Sequence, residues 1–224
     1  MDKCGVLWDM DGILVDTGEF HFQAWSQTLA EYDIPFSRDL FRATFGMNNT
    51  GLIAHLLGRT PEPEFIARVS DHKERRFRQA IRGHAQPLPG VLDWLDRLKA
   101  MGVRQAVASS APPENINTLV DELGIRPYFE AIVSGYDIPG KPDPAVFLKA
   151  ASELDLPPQR CIVVEDAVAG VQAAKRAGMR CIAVTTTNPA HALSGADIVV
   201  ERLDMLPANA FERLFNGGES APQV

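Results

Sequence analysis

The sequence predicts an α/β protein: a parallel sheet covered by helices, interrupted after its first strand by an all-helical insertion. Three observations predict it. Short Val- and Ile-rich runs that barely alternate recur along the chain, as strands covered on both faces do. Helical patterns separate most of them, and strand–helix repetition builds a parallel sheet through right-handed crossovers. Between Asp16 and about Pro87 only helical patterns occur.

In chain order the strand-like runs are CGVLW at 4–8, VRQAVA at 103–108, AIV at 131–133, CIVV at 161–164 and CIAV at 181–184, with a weaker DIVV at 197–200. The helical pattern GVLDWLDRLKAMG ends on Gly102, and PENINTLVDELG on Gly124, each glycine suited to close a helix. DPAVFLKAASEL follows Lys141-Pro142, and AVAGVQAAKRAG follows Asp166. Within the insertion, FHFQAWSQTLAEY puts Phe22, Trp25 and Leu29 on one face. Thr60-Pro61 reads as the N-cap and first residue of a helix running to about Arg82. The expected organisation is a Rossmann-like α/β core of residues 1–16 and 87–224 carrying a helical cap of residues 17–86. Hinges are expected near Asp16 and at QPLPG, and the polar tail NGGESAPQV is expected to fray.

Bulk properties narrow the function. The 224 residues suit one domain with a smaller insertion, and 46% hydrophobic with 23% charged residues is a globular profile. A formal net charge of −7 argues against nucleic acid as a partner. No apolar run approaches the ~20 residues of a membrane span, and the opening MDKCGVLWDMDG lacks the form of a signal peptide. Cys4, Cys161 and Cys181 lie in or beside apolar runs and form no CxxC, as expected of buried small hydrophobes in a reducing compartment. A cytoplasmic monomer is the expectation.

The stretch VLWDMDG raises the chemical question, because an apolar strand ends there on Asp9 and Asp11. Two carboxylates this close repel, and burial penalises both. In an open parallel sheet, ligands bind beyond the carboxyl ends of the strands. The later strands deliver Ser109 and Ser110, then Lys141 past a loop, then Glu165 and Asp166. A lone Asp at a strand end is usually a turn or cap residue; four strands delivering such groups to one rim are harder to set aside. Alternate residues of an extended chain point the same way, so Asp9 and Asp11 can converge. Mg²⁺ would relieve their repulsion, with Asp166 completing its shell. A carboxylate can act as nucleophile, and its neighbour as general acid and then base. Lys141 with Ser109 or Ser110 would hold the oxygens of a transferring phosphoryl group. The run GYDIPGK at 135–141 mimics the start of a phosphate-binding P-loop, but Pro142 stands where that loop needs Ser or Thr.

These motifs resemble the haloacid dehalogenase-like (HAD) superfamily, and within it the branch of β-phosphoglucomutases and small sugar phosphatases. The carriers are DMDGILVDT at 9–17, Ser109 in VASSA, Lys141 in GKPDP and the acidic pair in VVEDAVAG. The resemblance covers nearly the whole chain, cap included. It implies Asp9 as nucleophile and Asp11 as acid/base, with Ser109 and Lys141 on the phosphoryl group. It implies Mg²⁺ held by the side chains of Asp9 and Asp166 and the backbone carbonyl of Asp11, with Glu165 binding directly or through water. The presence of Asp11 separates the chain from true dehalogenases, which lack the second aspartate.

In the cap the sequence departs from the mutase pattern. Asn49, in Gly46-Met47-Asn48-Asn49, stands where mutases carry an arginine for a second phosphate. Ala111, Pro112 and Pro113 replace a Ser-Lys-Asn run with the same task. A mutase must hold a bisphosphate intermediate, so losing both contacts favours hydrolysis. His21 and Lys73 match cap residues of mutases and join Asn49 and Ser110 as substrate-binding candidates. Against these roles, His21 could simply orient a hinge, most of HKERR at 72–76 would be a solvated face, and Trp25 would be cap core. His55, His84 and His191 show no metal spacing. The expected function is a Mg²⁺-dependent phosphatase acting on a small phosphorylated metabolite, a sugar phosphate. The alternatives are a phosphosugar mutase and a non-catalytic phosphate-binding protein; the intact acidic and basic set argues against the last.

Overall fold

The computed structural model describes residues 3–44 and 47–217. Gly46 and the end of the polar tail lie outside them. The chain separates into two compact units, one running up to Asp16 and from Gln86 onward, the other spanning Thr17–Ala85.

The first unit is built on six parallel strands: β1 (Gly5–Trp8), β2 (Arg104–Ser109), β3 (Ala131–Ser134), β4 (Cys161–Glu165), β5 (Arg180–Val184) and β6 (Ile198–Val200). Their spatial order is β3-β2-β1-β4-β5-β6. This is the α/β architecture the sequence predicts, including the weak sixth strand. The order reverses between β1 and β4, and such a switch point opens a crevice at the carboxyl ends of the strands. Trp8 pairs with Val107 on one side and Val164 on the other, so Asp9 emerges at that crevice.

The sheet is covered on both faces, which is why its strands hardly alternate. Ranges in the described chain are α1 (Gly18–Ala30), α2 (Arg38–Thr44), α3 (Asn49–Leu57), α4 (Pro63–Ile81), α5 (Val91–Ala100), α6 (Pro113–Glu122), α7 (Ala145–Glu153), α8 (Val168–Arg176) and α9 (Ala210–Phe215). Phe147 and Ala150 of α7 and Val171 and Ala174 of α8 pack on Leu7, Ala106, Val163 and Cys181. On the other face Phe211 of α9 lies 6.3 Å from Trp8 and 4.9 Å from Trp94 of α5, ring centre to ring centre. Burying each such side chain contributes roughly 1.5–3 kcal/mol. The Trp8 indole donates to Gln105, whose amide donates to the Leu95 carbonyl, both at 3.0 Å, so this core leaves neither polar group unpaired. All three cysteines are buried and free. Gly102 and Gly124 close α5 and α6 at φ 72° and 66°, in the left-handed region.

The second unit holds α1 to α4. Trp25, Leu29, Leu52, Ile53 and Val69 form its core, so Trp25 is a packing residue. One boundary differs from the sequence reading. Helix α4 begins at Pro63 and not at Pro61, with Glu62 as N-cap in extended conformation. A proline pushes the residue before it out of helical space, so Pro63 blocks any earlier start.

Candidate active site

The acidic and basic groups expected from the strand ends meet at the β1–β4 switch point. Asp9 is fixed by its N–H, which donates to the Val164 carbonyl at 3.0 Å. Beyond it the chain makes a tight loop. Leu14 N–H donates to Met10 O at 2.9 Å, and Gly12 N–H to Val15 O at 2.8 Å. That loop holds Asp11, half-buried, beside the strand end. Lys141 Nζ donates to Asp9 Oδ1 at 2.5 Å and to Glu165 Oε1 at 2.6 Å. The other Glu165 oxygen accepts two backbone N–H groups, Asp166 at 2.8 Å and Ala167 at 2.7 Å. Glu165 is thus a strut that orients the lysine and shapes the turn carrying Asp166.

Ser109 ends β2 on the same rim and is buried; its Oγ accepts the Ala111 N–H at 3.1 Å. Ser110 is exposed in the following turn. Sequence reading missed the residues that brace these loops. Ser134 Oγ donates to Ala111 O at 2.7 Å, and Arg176 Nη1 donates to Pro142 O at 3.0 Å. Neither belongs to a short motif, and only the fold brings them there.

Charge is out of balance at this point. Burial, then the carboxylates of Glu165 and Asp11, push Asp9 up to about 7 despite the opposing pull of Lys141. Burial, then Glu165 and Asp9, push Asp166 up to about 9. Burial alone would lower the Lys141 ammonium, but Asp9 and Glu165 outweigh it and hold it above the ordinary lysine range. One ammonium among four carboxylates leaves excess negative charge, which a divalent cation would relieve.

A family model for haloacid dehalogenase-like hydrolases matches residues 5–178. The chain belongs to this family. It is an enzyme of the haloacid dehalogenase-like hydrolases, and its α/β core is the family's fold. Among similar proteins is a β-phosphoglucomutase of Bacillus subtilis, 34% identical over 205 residues and 88% of each chain. A phosphorylated carbohydrates phosphatase of Thermotoga maritima is 31% identical over 182 residues, covering 79% of this chain and 82% of that one. A solved structure of a CbbY variant from Rhodobacter sphaeroides, in complex with xylulose-(1,5)bisphosphate, superposes with a TM-score of 0.82 at 29% identity, covering 90% of this chain and 95% of the other.

The residues of this HAD hydrolase fit Mg²⁺. Among the described residues no three His, Cys, Asp or Glu side chains form a ready-made cage. Mg²⁺ does not need one, since it takes one or two carboxylates and keeps other positions for water and phosphate oxygens. The cradle itself points to a carboxylate that must sit close to the backbone. A Cβ on Gly12 would overlap the Asp166 carboxylate, and one on Gly170 would overlap that of Glu165. Gly12 also has φ 78°, where a side chain is strained. Gly12→Ala should therefore displace Asp166, weakening Mg²⁺ binding by at least about tenfold, with roughly 1–2 kcal/mol lost from stability. Calorimetric Mg²⁺ titration beside urea unfolding checks both; unchanged Mg²⁺ affinity would refute the cradle.

The cap candidates also meet one another. Lys73 Nζ lies 2.9 Å from His21 Nδ1 and donates to Glu74 Oε1 at 2.9 Å. The Asn49 amide donates to the same Glu74 oxygen at 2.9 Å. His21 stacks on Phe77 with 4.1 Å between ring centres. Lys73 and Glu74 are both buried, so this part of the basic-looking HKERR run is not a solvated face. Glu74 was not singled out from sequence. Burial would raise its carboxyl, but Lys73, Asn49 and His21 together hold it below the ordinary range.

Proposed function

We propose that the chain is a Mg²⁺-dependent phosphatase that hydrolyses a small phosphorylated metabolite, a sugar phosphate, through an aspartyl-phosphate on Asp9. The observation that carries this reading is the buried Asp9 held by Lys141 at the sheet's switch point, with Asp11 two residues on. Asp9 attacks phosphorus, and the P–O bond to the leaving group breaks. Asp11 gives its proton to the departing oxygen, then takes one from the water that attacks the acyl phosphate. That step releases phosphate, frees the Asp9 carboxylate and returns Asp11 to its protonated form. Lys141 and the Ser109 hydroxyl, with Ser110 beside it, hold the oxygens of the transferring group. Mg²⁺ would be held by Asp9, Asp166 and the Asp11 carbonyl, with Glu165 nearby, and when bound it offsets the negative charge of carboxylates and phosphate.

We assign the choice of substrate to the cap, with His21, Asn49 and Lys73 as binding candidates. Hydrolysis is favoured over mutase chemistry by the charge balance there. Asn49 is neutral and engaged with Glu74, and the Lys73 charge is matched by Glu74, which suits hydroxyl groups better than a second phosphate. The likeness to β-phosphoglucomutase is what favours the mutase reading. Phosphate release from a panel of sugar and polyol phosphates, with and without Mg²⁺, tests the two. Glucose 1-phosphate is included and its product assayed for glucose 6-phosphate. Mg²⁺-dependent release of phosphate supports the phosphatase; isomer without release makes it a mutase. We take the working form to be a cytoplasmic monomer. Among the described residues no helix is long and apolar enough to cross a membrane.

A further inference from the structure

Asp166 is held from three directions. Its N–H donates to Glu165 Oε2 at 2.8 Å, and its carboxylate lies where a Cβ on Gly12 would sit. Its carbonyl accepts the Asn188 side-chain amide at 3.0 Å. The first two partners come from the motifs of β1 and β4. The third comes from elsewhere, the turn that follows β5. That turn is itself anchored on both sides. Thr185 N–H donates to the Val200 carbonyl at 3.0 Å, tying it to β6. After Asn188 and Pro189, a single 3₁₀ turn at Ala190–Leu193 buries Leu193 completely.

We propose that Asn188 is a positioning residue for Asp166, and that it sets the affinity of this site for a divalent cation. The inference rests on Asp166 being a metal-side carboxylate, as proposed above. Magnitudes separate this role from a merely structural one. A single neutral hydrogen bond at a half-buried loop contributes little beside the stability of the core. The same bond on the backbone of a metal-ligating residue acts as an outer-shell partner, a position that typically governs 10–100-fold in metal affinity, because it fixes the main chain from which the carboxylate is presented. Asn188 has the anchored turn and the direct hydrogen bond to Asp166 that this task needs. Its neighbour Thr187 is exposed in the same turn and serves as a control.

The test is calorimetric titration of the full chain with Mg²⁺ alone, so the readout does not depend on turnover. Asn188→Ala should raise the Mg²⁺ dissociation constant by about tenfold or more, while Thr187→Ala leaves it within twofold. In EDTA, the thermal midpoint of Asn188→Ala should match that of the wild type to within a few degrees. In turnover assays, the Mg²⁺ concentration giving half-maximal rate should rise, and saturating Mg²⁺ should restore kcat. Should Asn188→Ala fail to fold, Asn188→Ser, which withdraws the amide but keeps a polar side chain, is titrated in its place. Wild-type affinity in a folded Asn188 variant overturns the inference and leaves the phosphatase reading standing. Absence of Mg²⁺ binding by the wild type overturns both.

Discussion

Asp9→Asn should abolish phosphate release, lowering it by more than about 10⁴-fold, the scale on which removal of a catalytic nucleophile acts. The amide is nearly isosteric and cannot attack phosphorus as a carboxylate does. The fold should survive, because the position is held by backbone. Asp9 N–H is bonded to Val164 O, and Trp8 pairs with strands on both sides. Lys141 keeps its second partner, Glu165. Substituting the amide also removes one of the charges crowding Asp166, so stability in EDTA should be unchanged or slightly higher. Substrate should still bind, because Lys141 and Ser109 are intact. Single-turnover assays, with urea unfolding alongside, separate these outcomes. Rates within tenfold of wild type in a well-folded variant would rule out the aspartyl-phosphate route.

The strands were legible because burial on both faces leaves Val- and Ile-rich runs without alternation, and β6 was faint because its residues are only half-buried. The groups at the strand ends were legible for a topological reason. A parallel sheet sends every carboxyl end to one rim, so Asp9, Ser109, Lys141 and Asp166 could be collected without knowing strand order. Strand order was not read, and with it the position of the β1–β4 crevice. The struts were invisible for a related reason. Ser134, Arg176 and Asn188 act through backbone carbonyls of other loops, and a backbone carbonyl leaves no mark in the partner's side chain. Glu74 escaped because a Lys-Glu pair in a charged helix reads as solvated, whereas α4 turns both inward. Pro63 shows the reverse error, where a plausible cap at Thr60-Pro61 was overruled by the next proline.

Lys141→Met should cost about 3–5 kcal/mol of stability at pH 8, the usual penalty for stripping one partner from a buried ion pair. Little solvent is available to compensate. The side chains of Lys141 and Asp9 are each 10% exposed, and that of Glu165 is 1% exposed. Methionine fills the aliphatic path beside Phe147, over which the ammonium sits at 4.9 Å, so packing is largely kept and the charge is what is lost. The pH dependence follows from the directions of the shifts. Asp9 already stands at about 7 with Lys141 pulling it down, so removing the lysine moves it higher. A carboxyl raised in the folded state loses stability as pH climbs from the ordinary carboxylate range through its folded value. The deficit of the variant should therefore be greatest at pH 8 and narrow toward pH 5, where Asp9 is mostly protonated and needs no cation. The lysine's own value is raised in the folded protein, so its contribution to the wild type persists below about pH 10.4 and fades only above it. Urea unfolding in EDTA at pH 5 and pH 8 reads the difference directly. Equal deficits at the two pH values would mean that the loss is one of packing, and that Lys141 does not compensate the Asp9 charge.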